Sequence, residues 1–493
     1  MSSLCHIPAL RLGTSYESVE KTEVKDFRTG EIRATVSQVN AGLIRKDLKR
    51  LPQARSTLKK FTTVQLLEMC ARAGEQFLSG SLPLAAGHNQ TAEQYVENLS
   101  ATSGLPHVMV RRNMDRIHQA LVNMRGILNG LTRGLDFTIL DDSIGQQAGV
   151  SLSFFPTTNG LGVVMPSNSP SVNSLWLPAI PLKIPVVIKP GREEPWTPFR
   201  LIRAFIAAGC PAEAFAFYPT DHDGAAAVLG TCSRALLFGD TTTATQYANN
   251  LSIEIHGPGY SKILIGEDQI ERWAEFMDLM VASISENGGR SCINTSAIVV
   301  PKYGDEIAET LAQRLGPLSP TQLDDENARL SGFASPKMAE GIDRAIEQGL
   351  KTRGAKDVTA RHRKGPRKIV FEGGTYLRPT IVRCDSFSHP LANREFLFPY
   401  ASVVQVPQQE MLTQIGPSLV VTALTDDPEF QARLLEAPFI NRLNLGPIPT
   451  MKISWDQPHE GNMFEFLYRR RAIERAPLLK APRAGAFAEA SSH

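Results

Sequence analysis

Cysteine is scarce in this chain of 493 residues, which contains six, and no two of them are spaced as CxxC. So few thiols do not form the disulfide framework of a small secreted protein. The ten histidines include no HExxH pattern and no pair beside two cysteines, so we expect no structural zinc site. No apolar run approaches the roughly 20 residues of a membrane span. The segment Met1–Ser18 lacks the basic and apolar parts of a secretory signal, so we expect a cytoplasmic protein.

An excess of charge of either sign is also missing, because 52 Lys and Arg residues balance 50 Asp and Glu residues, leaving a net charge of +2. This balance gives no electrostatic reason to expect nucleic acid or a membrane surface as a partner. The stretch Arg353–Lys368 is locally basic, but no aromatic residues are interleaved with its cations, and we interpret it as a solvated surface loop. At ~150 residues per domain, the length predicts roughly three domains.

The first third of the chain is predicted to be mainly helical. Glu23–Val39 indicates two short strands around a Thr-Gly turn. Apolar residues at helical spacing predict helices within Leu43–Leu82 and Ala92–Leu131. Apolar and polar residues alternate in Asp136–Gly162, which also carries turn residues, and this pattern predicts a long β-hairpin.

From Leu161 onward, strands alternate with helices, which predicts an α/β fold with a parallel sheet covered on both faces. Ligands bind such sheets at the carboxyl ends of the strands. A second α/β region begins near Ile263, with helices at Gln269–Ser285 and Gly304–Leu315 and a strand at Ser296–Val300. The strands predicted in the first region are Leu161–Met165, Pro185–Lys189, Ala214–Tyr218, Ala235–Phe238 and Ser252–Ile255.

A reactive cysteine is indicated by the segment Asn287–Cys292, which reads NGGRSC. A cysteine between a Gly-rich loop and a strand is well placed to be exposed. Backbone amides or the nearby Arg290 would favour its thiolate, which is the nucleophilic form. The alternative is a buried, inert cysteine.

Three further loops follow predicted strands and carry polar residues. Asn168 lies between Pro166 and Pro170, where its amide is placed either to donate to an oxyanion or to form an Asx turn. Lys189 ends a buried strand and suits a nucleotide contact, or is a surface lysine. Gly239-Asp240-Thr241 opens a helix, which suits a pyrophosphate or a simple N-cap. The GxGxxG dinucleotide fingerprint is absent.

The order and spacing of these loops resemble the aldehyde dehydrogenase family over nearly the whole chain. Asn287, Gly289 and Cys292 are similar to its nucleophile loop. Further similar segments are Thr29-Gly30-Glu31, Ala34-Thr35-Val36, Trp176, Gly374–Thr380, Glu395–Pro399 and the tail His459–Ile473.

The resemblance implies an architecture and an assembly. It implies a Rossmann-type cofactor domain over 1–135 and 158–256 and an α/β catalytic domain over 257–445. A small β oligomerisation element would comprise 136–157 and 464–493. The hairpin and tail would expose strand edges that pairing between copies would cover, so we expect a homodimer or homotetramer.

The resemblance also implies that Cys292 attacks an aldehyde, giving a thiohemiacetal, hydride transfer to NAD or NADP, and a thioester. Asn168 and the backbone amide of Cys292 would form the oxyanion hole. The implied cofactor contacts are Lys189 to the adenosine ribose, Gly239 and Asp240 beside the pyrophosphate, Glu395 to the nicotinamide ribose, and Pro166 in the same site.

The segment that supplies the general base in this family is altered here and reads SIEIHGPGYS over Ser252–Ser261. One alignment places His256 at the base position and another places Glu254 there. Residues two apart in a strand share a face, so both are able to point toward Cys292. In the third interpretation His256 caps the turn and no base remains.

The altered base leaves the fate of the thioester open. Water would release a carboxylate, which is the favoured expectation. Family members that pass the acyl group to coenzyme A often lack the base, and some carry a loop similar to Gly257-Pro258-Gly259. A non-catalytic binding or structural oligomer is the third alternative. Arg192 stands where many NAD-preferring members have Glu, so it would attract the 2′-phosphate of NADP, unless it points to solvent.

Overall fold

The structure, a computed structural model, describes residues 5–85 and 87–474. The helices predicted from apolar spacing and the strand pair predicted in Glu23–Val39 are confirmed. None of the helices in the described residues is both long and apolar enough to cross a membrane. In chain order, this part comprises β1 (Cys5–Ile7), β2 (Ala9–Arg11), β3 (Thr14–Tyr16), β4 (Lys21–Lys25), β5 (Ile32–Ser37), α1 (Ala41–Leu48), α2 (Leu51–Leu58), α3 (Thr63–Ser79), β6 (Leu82–Ala85), β7 (His88–Gln90), α4 (Ala92–Ser103), α5 (His107–Val122), α6 (Met124–Thr132), α7 (Thr138–Asp142), β8 (Ile144–Gln147) and β9 (Val150–Pro156).

The next part is a doubly wound α/β layer, in which all five predicted strands are confirmed. Its elements are β10 (Leu161–Val164), β11 (Val186–Lys189), α8 (Trp196–Ala207), β12 (Phe215–Phe217), α9 (His222–Thr231), β13 (Arg234–Phe238), α10 (Thr241–Tyr247) and β14 (Ile253–His256). The parallel order is β14-β13-β10-β11-β12, and β2 and β3 continue the sheet antiparallel.

The strand order of this sheet reverses beside β10, because the chain adds β11 on one side and later returns to add β13 on the other. Ligands bind open parallel sheets at such a reversal, beyond the carboxyl ends of the strands. Asn168 follows β10, Gly239 follows β13, and His256 is the last residue of β14. The topology therefore gathers three of the predicted site residues at one edge.

A second seven-stranded sheet has the order β17-β20-β21-β16-β15-β22-β23 and is parallel except for the β17/β20 pair. The elements of this part are β15 (Ser261–Ile265), α11 (Met277–Ser285), β16 (Thr295–Val300), α12 (Gly304–Leu315), α13 (Pro336–Leu350), β17 (Ala355–Asp357), β18 (Lys368–Phe371), β19 (Gly374–Leu377), β20 (Thr380–Cys384), β21 (Tyr400–Gln405), α14 (Gln408–Gln414), β22 (Ser418–Leu424), α15 (Pro428–Leu435) and β23 (Ile440–Leu445). The predicted helix Gln269–Ser285 begins as a 3-10 turn, Ile270–Phe276, before α11. The two sheets divide between β14 and β15, and the predicted domain boundaries stay a prediction.

The predicted hairpin Asp136–Gly162 is shorter than expected. It consists of β8 and β9, while α7 precedes it and Leu161 already belongs to β10. The C-terminal elements are α16 (Met463–Leu467) and β24 (Tyr468–Arg471). Strand β24 pairs antiparallel with β9, giving a three-stranded sheet in the order β24-β9-β8. Residues 475–493 of the predicted oligomerisation tail lie outside the described residues.

The interpretation of Arg353–Lys368 as a solvated loop is wrong for two of its arginines. Arg363 and Arg367 are buried, and both guanidinium groups hydrogen bond to the carboxylate of Asp357. Arg367 also donates to Asp343 on α13 at 2.8 Å. Buried charges are tolerated when they are paired in this way. This part of the basic stretch is therefore an internal ion-pair network.

Candidate active site

Two cavities meet at Cys292, in the loop that precedes β16. The first, which we call the cleft, encloses about 460 Å³ and is bordered by the loops that follow β10 and β13 and by Glu395. The second, which we call the apolar cavity, encloses about 290 Å³ between α5, α6 and the segment 451–463. Val172, His256 and Cys292 line both cavities. A sulfur at this junction can therefore contact one ligand in each.

The loop before Cys292 has an unusual backbone. Asn287, Gly288 and Gly289 have φ values of +54°, +64° and +69°, in the left-handed region. A Cβ at Gly289 would lie 2.4 Å from backbone atoms of Phe398 and Pro399, so only glycine fits there. The non-glycine residue Asn287 holds its conformation through its side chain, which bonds Asn113, Ser169 and Ser291. This loop positions Cys292 at the head of β16.

The sulfur of Cys292 has an acidic partner from the far end of the chain. Its Sγ lies 3.0 Å from Oε1 of Glu460, to which the thiol donates a hydrogen bond. The other carboxylate oxygen of Glu460 accepts a hydrogen bond from Nδ1 of His256. The His256 ring stacks on Phe238 at a centroid distance of 4.6 Å. In the described part of the chain, Nε2 of His256 is buried and has no partner.

The electrostatics of this trio follow from burial and from the shared carboxylate. Burial raises the pKa of the Cys292 thiol, and the charges of Glu460 and Glu395 raise it further. Burial alone would lower the pKa of His256, but its hydrogen bond to Glu460 outweighs that effect and raises it. The same bond lowers the pKa of Glu460 despite burial. Glu460 is thus an ionised acceptor between the thiol and the imidazole.

The expectation that Arg290 favours the Cys292 thiolate is wrong. The guanidinium of Arg290 is buried and donates to the backbone oxygens of Ser103 and Gly332. Its charge is therefore committed to fixing loops rather than to the sulfur. Cys292 depends instead on a proton acceptor, because nothing in its described surroundings lowers its pKa by direct cationic contact.

Glu254 and His256 both line the apolar cavity, as expected for residues that share a strand face. Burial raises the pKa of Glu254, and the charge of Glu460 adds to that effect, while His256 opposes it. The side chain of Glu254 packs closely against Gly461. A Cβ at Gly461 would lie 1.9 Å from Oε1 of Glu254. Of the two base candidates, His256 is the one hydrogen-bonded to the partner of Cys292.

Asn168 lines the cleft with Cys292, and its Nδ2 donates to the backbone oxygen of Arg290 at 2.8 Å. Its loop is tied to the nucleophile loop through Asn113, a buried residue of α5. Oδ1 of Asn113 accepts from the Ser169 hydroxyl and the Ser171 amide, both at 3.2 Å. Nδ2 of Asn113 donates to Asn287 at 2.8 Å. One side chain thus joins the two loops that carry Asn168 and Cys292.

Comparison with known proteins agrees with this arrangement. The family model described as "Aldehyde dehydrogenase family" matches residues 90–416. The chain belongs to the aldehyde dehydrogenase family. One similar solved structure is the aldehyde dehydrogenase KauB from Pseudomonas aeruginosa, which is 14% identical, matches 95% of this chain and 96% of its own, and has a TM-score of 0.77. Another is an NAD+ complex of an aldehyde dehydrogenase from Bacillus cereus, which is 16% identical, matches 94% of this chain and 96% of its own, and has a TM-score of 0.75. These likenesses show the predicted fold.

A curated relative of this aldehyde dehydrogenase family member is alpha-ketoglutaric semialdehyde dehydrogenase of Bacillus subtilis strain 168. The two are 24% identical over 270 residues, which is 52% of this chain. The match spans 54% of the relative, so the chain covers about half of its length.

The cofactor contacts predicted from the sequence map unevenly onto the cleft. Pro166, Gly239, Asp240 and Glu395 line it. Lys189, which is half-buried, and Arg192, which is exposed, are not among the described residues that line the cleft. The next residue, Glu193, does line it.

Two of the cleft carboxylates are already engaged. Asp240 caps α10 by accepting from the Thr243 amide at 2.9 Å, which is the simple N-cap interpretation. Glu395 accepts from the Tyr260 amide at 2.7 Å. Burial raises the pKa of Glu395 to about 8. A carboxyl group has several lone pairs, so both side chains are still able to accept from a ligand hydroxyl.

The sequence interpretation missed Glu460 and Asn113. Glu460 is 168 positions from Cys292 and lies in a loop with no catalytic motif of its own. Asn113 lies on a helix that was predicted from the spacing of its apolar residues, and that prediction needed no role for the asparagine. The family resemblance of the tail His459–Ile473 was a signal for Glu460, although it pointed to assembly and not to chemistry, and the sequence carried no signal for Asn113.

Proposed function

We propose that this chain oxidises an aldehyde to a carboxylate, with NAD or NADP as the electron acceptor and Cys292 as the covalent nucleophile. The observation that carries the proposal is the position of Cys292 at the junction of two cavities, 3.0 Å from the ionised carboxylate of Glu460. The apolar cavity would hold the aldehyde and the cleft would hold the cofactor.

Glu460 supports the first step, because its hydrogen bond orients the thiol and gives the proton a path out as Sγ of Cys292 bonds to the carbonyl carbon. Since the pKa of Glu460 is lowered, the proton passes on to water rather than staying on the carboxylate. The C=O electron pair moves onto oxygen. The Asn168 amide and the Cys292 backbone N–H would stabilise that oxyanion, and a good donor of this kind contributes roughly 3–4 kcal/mol. The product of this step is a thiohemiacetal on Cys292.

The cleft fits a nicotinamide cofactor. Asn168 lines the cleft, and its buried Oδ1 has no partner in the described residues, which leaves this oxygen to accept a carboxamide N–H. Pro166, Gly239, Asp240 and Glu395 would hold the remainder. When bound, the cofactor supplies the hydride acceptor that converts the thiohemiacetal into a thioester. Glu193 lines the cleft and Arg192 does not, which favours NAD, since a carboxylate repels the 2′-phosphate of NADP.

Release by water is supported by the His256–Glu460 pair. With Nδ1–H bonded to Glu460, the neutral imidazole has Nε2 available to take a proton from water that attacks the thioester. Transfer to coenzyme A remains the second candidate, favoured by the position of Gly257 and Pro258 in the wall of the cleft. A thiol attacks a thioester with less help from a base.

The test is an assay of the purified protein with a panel of aldehydes, with NAD or NADP, each with and without coenzyme A. We expect reduced cofactor and a carboxylate without coenzyme A, and a higher rate with NAD. Formation of reduced cofactor only with coenzyme A would assign the acylating reaction. Cys292→Ser is expected to abolish turnover, whereas Cys5→Ser, at a half-buried cysteine in β1, is the matched control that retains it. Equal activity of both variants would contradict the proposal.

We also propose that the protein is a homodimer or homotetramer. The proposal is supported by the outer strands β24 and β8 of the three-stranded sheet, whose outer edges pair with no further strand in the described residues, so that a second copy would cover them. Light scattering of the purified chain measures its mass, and a monomer would contradict the proposal.

A further inference from the structure

Aliphatic, aromatic and methionine side chains line much of the apolar cavity. They include Ile127, Leu131, Leu175, Ile293, Met451 and Trp455. A volume of about 290 Å³ is near the lower end of the range of pockets that enclose small molecules. Such walls favour apolar carbon over water and leave the orientation of a ligand to a few polar groups.

The guanidinium of Arg116 in this wall is already paired with a carboxylate. Arg116 of α5 lines the cavity, and its Nη2 hydrogen bonds to the Glu286 carboxylate, which directly precedes the nucleophile loop. Both side chains are about one third exposed, with fractions of 29% and 32%. A carboxylate that approaches Arg116 also approaches Glu286, and the repulsion between the two anions offsets part of the attraction of the guanidinium. The Arg116–Glu286 pair therefore weakens the attraction that a carboxylated substrate would need.

Among the described residues, the end of the cavity near the sulfur offers no unpaired cation. Glu460 lines it together with its hydrogen-bond partner His256, and Glu254 lies beside them. A substrate carboxylate would lose its hydration there without gaining a free cation in exchange. Lys452 is the remaining cation in the described lining, but it is exposed and hydrated, so its attraction is weak.

We infer that this site takes neutral, apolar aldehydes and discriminates against aldehydes that carry a carboxylate, with the Arg116–Glu286 pair as the determinant. The inference rests on the proposed aldehyde oxidation. Glu286 sets the specificity by occupying Arg116, and it does not contact the reacting atoms. Freeing the guanidinium should therefore admit carboxylated substrates without impairing neutral ones.

The kinetic experiment compares 4-methylpentanal with 4-oxobutanoate, which have similar shapes but differ in charge. We expect kcat/KM of the wild type to be at least 100-fold higher for the neutral aldehyde. Glu286→Gln should raise kcat/KM for 4-oxobutanoate at least tenfold and leave the neutral substrate within threefold. Glu326→Gln is the matched control, because it frees Arg111 of the same helix, which is not among the described residues lining the cavity, and it should change neither value. Equal use of both substrates by the wild type, an equal gain in Glu326→Gln, or loss of 4-oxobutanoate oxidation in Lys452→Gln would overturn the inference.

An experiment that needs no turnover separates this inference from the proposed oxidation. Iodoacetamide and iodoacetate alkylate a thiol by the same reaction, but only iodoacetate is anionic. Mass spectrometry of the Cys292 peptide gives both rates. Relative to a small free thiol, Cys292 should prefer iodoacetamide by a further tenfold, and Glu286→Gln should remove most of that preference. An unchanged ratio in the variant would contradict the inference even if the enzyme proved inactive with every aldehyde.

Discussion

Oε1 of Glu460 lies 3.0 Å from Sγ of Cys292, although 168 positions separate the two residues. The C-terminal segment places this carboxylate in the site with a left-handed backbone, φ +53°, at Glu460 itself. Its other oxygen holds Nδ1 of His256. One side chain thus contacts both the nucleophile and the imidazole, which is how a base is commonly oriented in sites of this type.

Replacing Glu460 by Gln keeps the shape and removes the charge. We expect kcat/KM for aldehyde oxidation to fall about 100-fold, the contribution typical of a positioned base. The pKa of His256 should fall as well, because Glu460 raises it against the effect of burial. If neutral His256 is the active form, the rate rises with pH through that pKa, so the midpoint of the pH profile should move to lower pH in the variant.

The Glu460 experiment has an internal control in Glu465, an exposed carboxylate of α16 that pairs with Arg133. Glu465→Gln should leave both the rate and the pH midpoint unchanged. A Glu460→Gln enzyme with the wild-type midpoint would rule out the link between Glu460 and His256.

The two candidates for the general base can be separated by parallel substitutions. His256→Gln should slow release of the thioester about 100-fold or more, whereas Glu254→Gln should have a much smaller effect, because Glu254 has no hydrogen bond to Glu460. Rapid mixing followed by mass spectrometry would detect an accumulated acyl group on Cys292 only in His256→Gln. Accumulation in Glu254→Gln alone would assign the base to Glu254.

Asn113 is expected to align the oxyanion hole with the nucleophile. Asn113→Ala breaks the bonds to Asn287 and Ser171, so the two loops are no longer fixed relative to each other. Small misplacements of reacting groups cost up to about 100-fold in rate. We expect kcat to fall by about 10- to 100-fold while KM for the aldehyde stays within threefold.

A matched control for Asn113 is Asn173, which is equally buried. Its hydrogen bonds, to Pro170 and Trp176, remain within its own segment. Asn173→Ala should lose similar stability in thermal unfolding, since each change leaves buried polar groups unpaired. If both variants lose the same fraction of kcat, Asn113 has only a structural role.

The buried ion-pair network predicts a pH-dependent stability. Burial by itself raises the pKa of Asp357, but Arg363 and Arg367 outweigh it and lower the pKa. The stabilisation is therefore complete above the unfolded-state pKa of about 4 and is lost as pH falls through the lower folded-state pKa. Asp357→Asn should cost about 3–5 kcal/mol in denaturant unfolding at pH 7, and the difference from the wild type should shrink in acid.

Asp305 provides the comparison for that measurement, since it is 84% exposed and pairs with Arg383. Asp305→Asn should cost about 0.5 kcal/mol or less. A small effect of Asp357→Asn at pH 7 would mean that water reaches the two guanidinium groups.

The sequence by itself determined those features that depend on neighbouring residues. Alternation of strands and helices predicted the parallel sheet, and the NGGRSC segment predicted that Cys292 ends a glycine-rich loop. Proline-bounded Asn168 was placed correctly at the end of β10. These signals are local, because strand and helix periodicity and turn preferences act over a few residues.

The tertiary structure decided which side chains share the site. Glu460 with Cys292, Arg116 with Glu286, and Arg290 with distant backbone oxygens are contacts across more than 40 positions of sequence. The packing of the sheets and helices decides which charged side chains pair with each other. Without that packing, the sequence allows several partners for each charged residue. Arg367 was predicted in solvent but lies buried, because folding brings Asp357 of β17 and Asp343 of α13 into hydrogen-bond contact with its guanidinium.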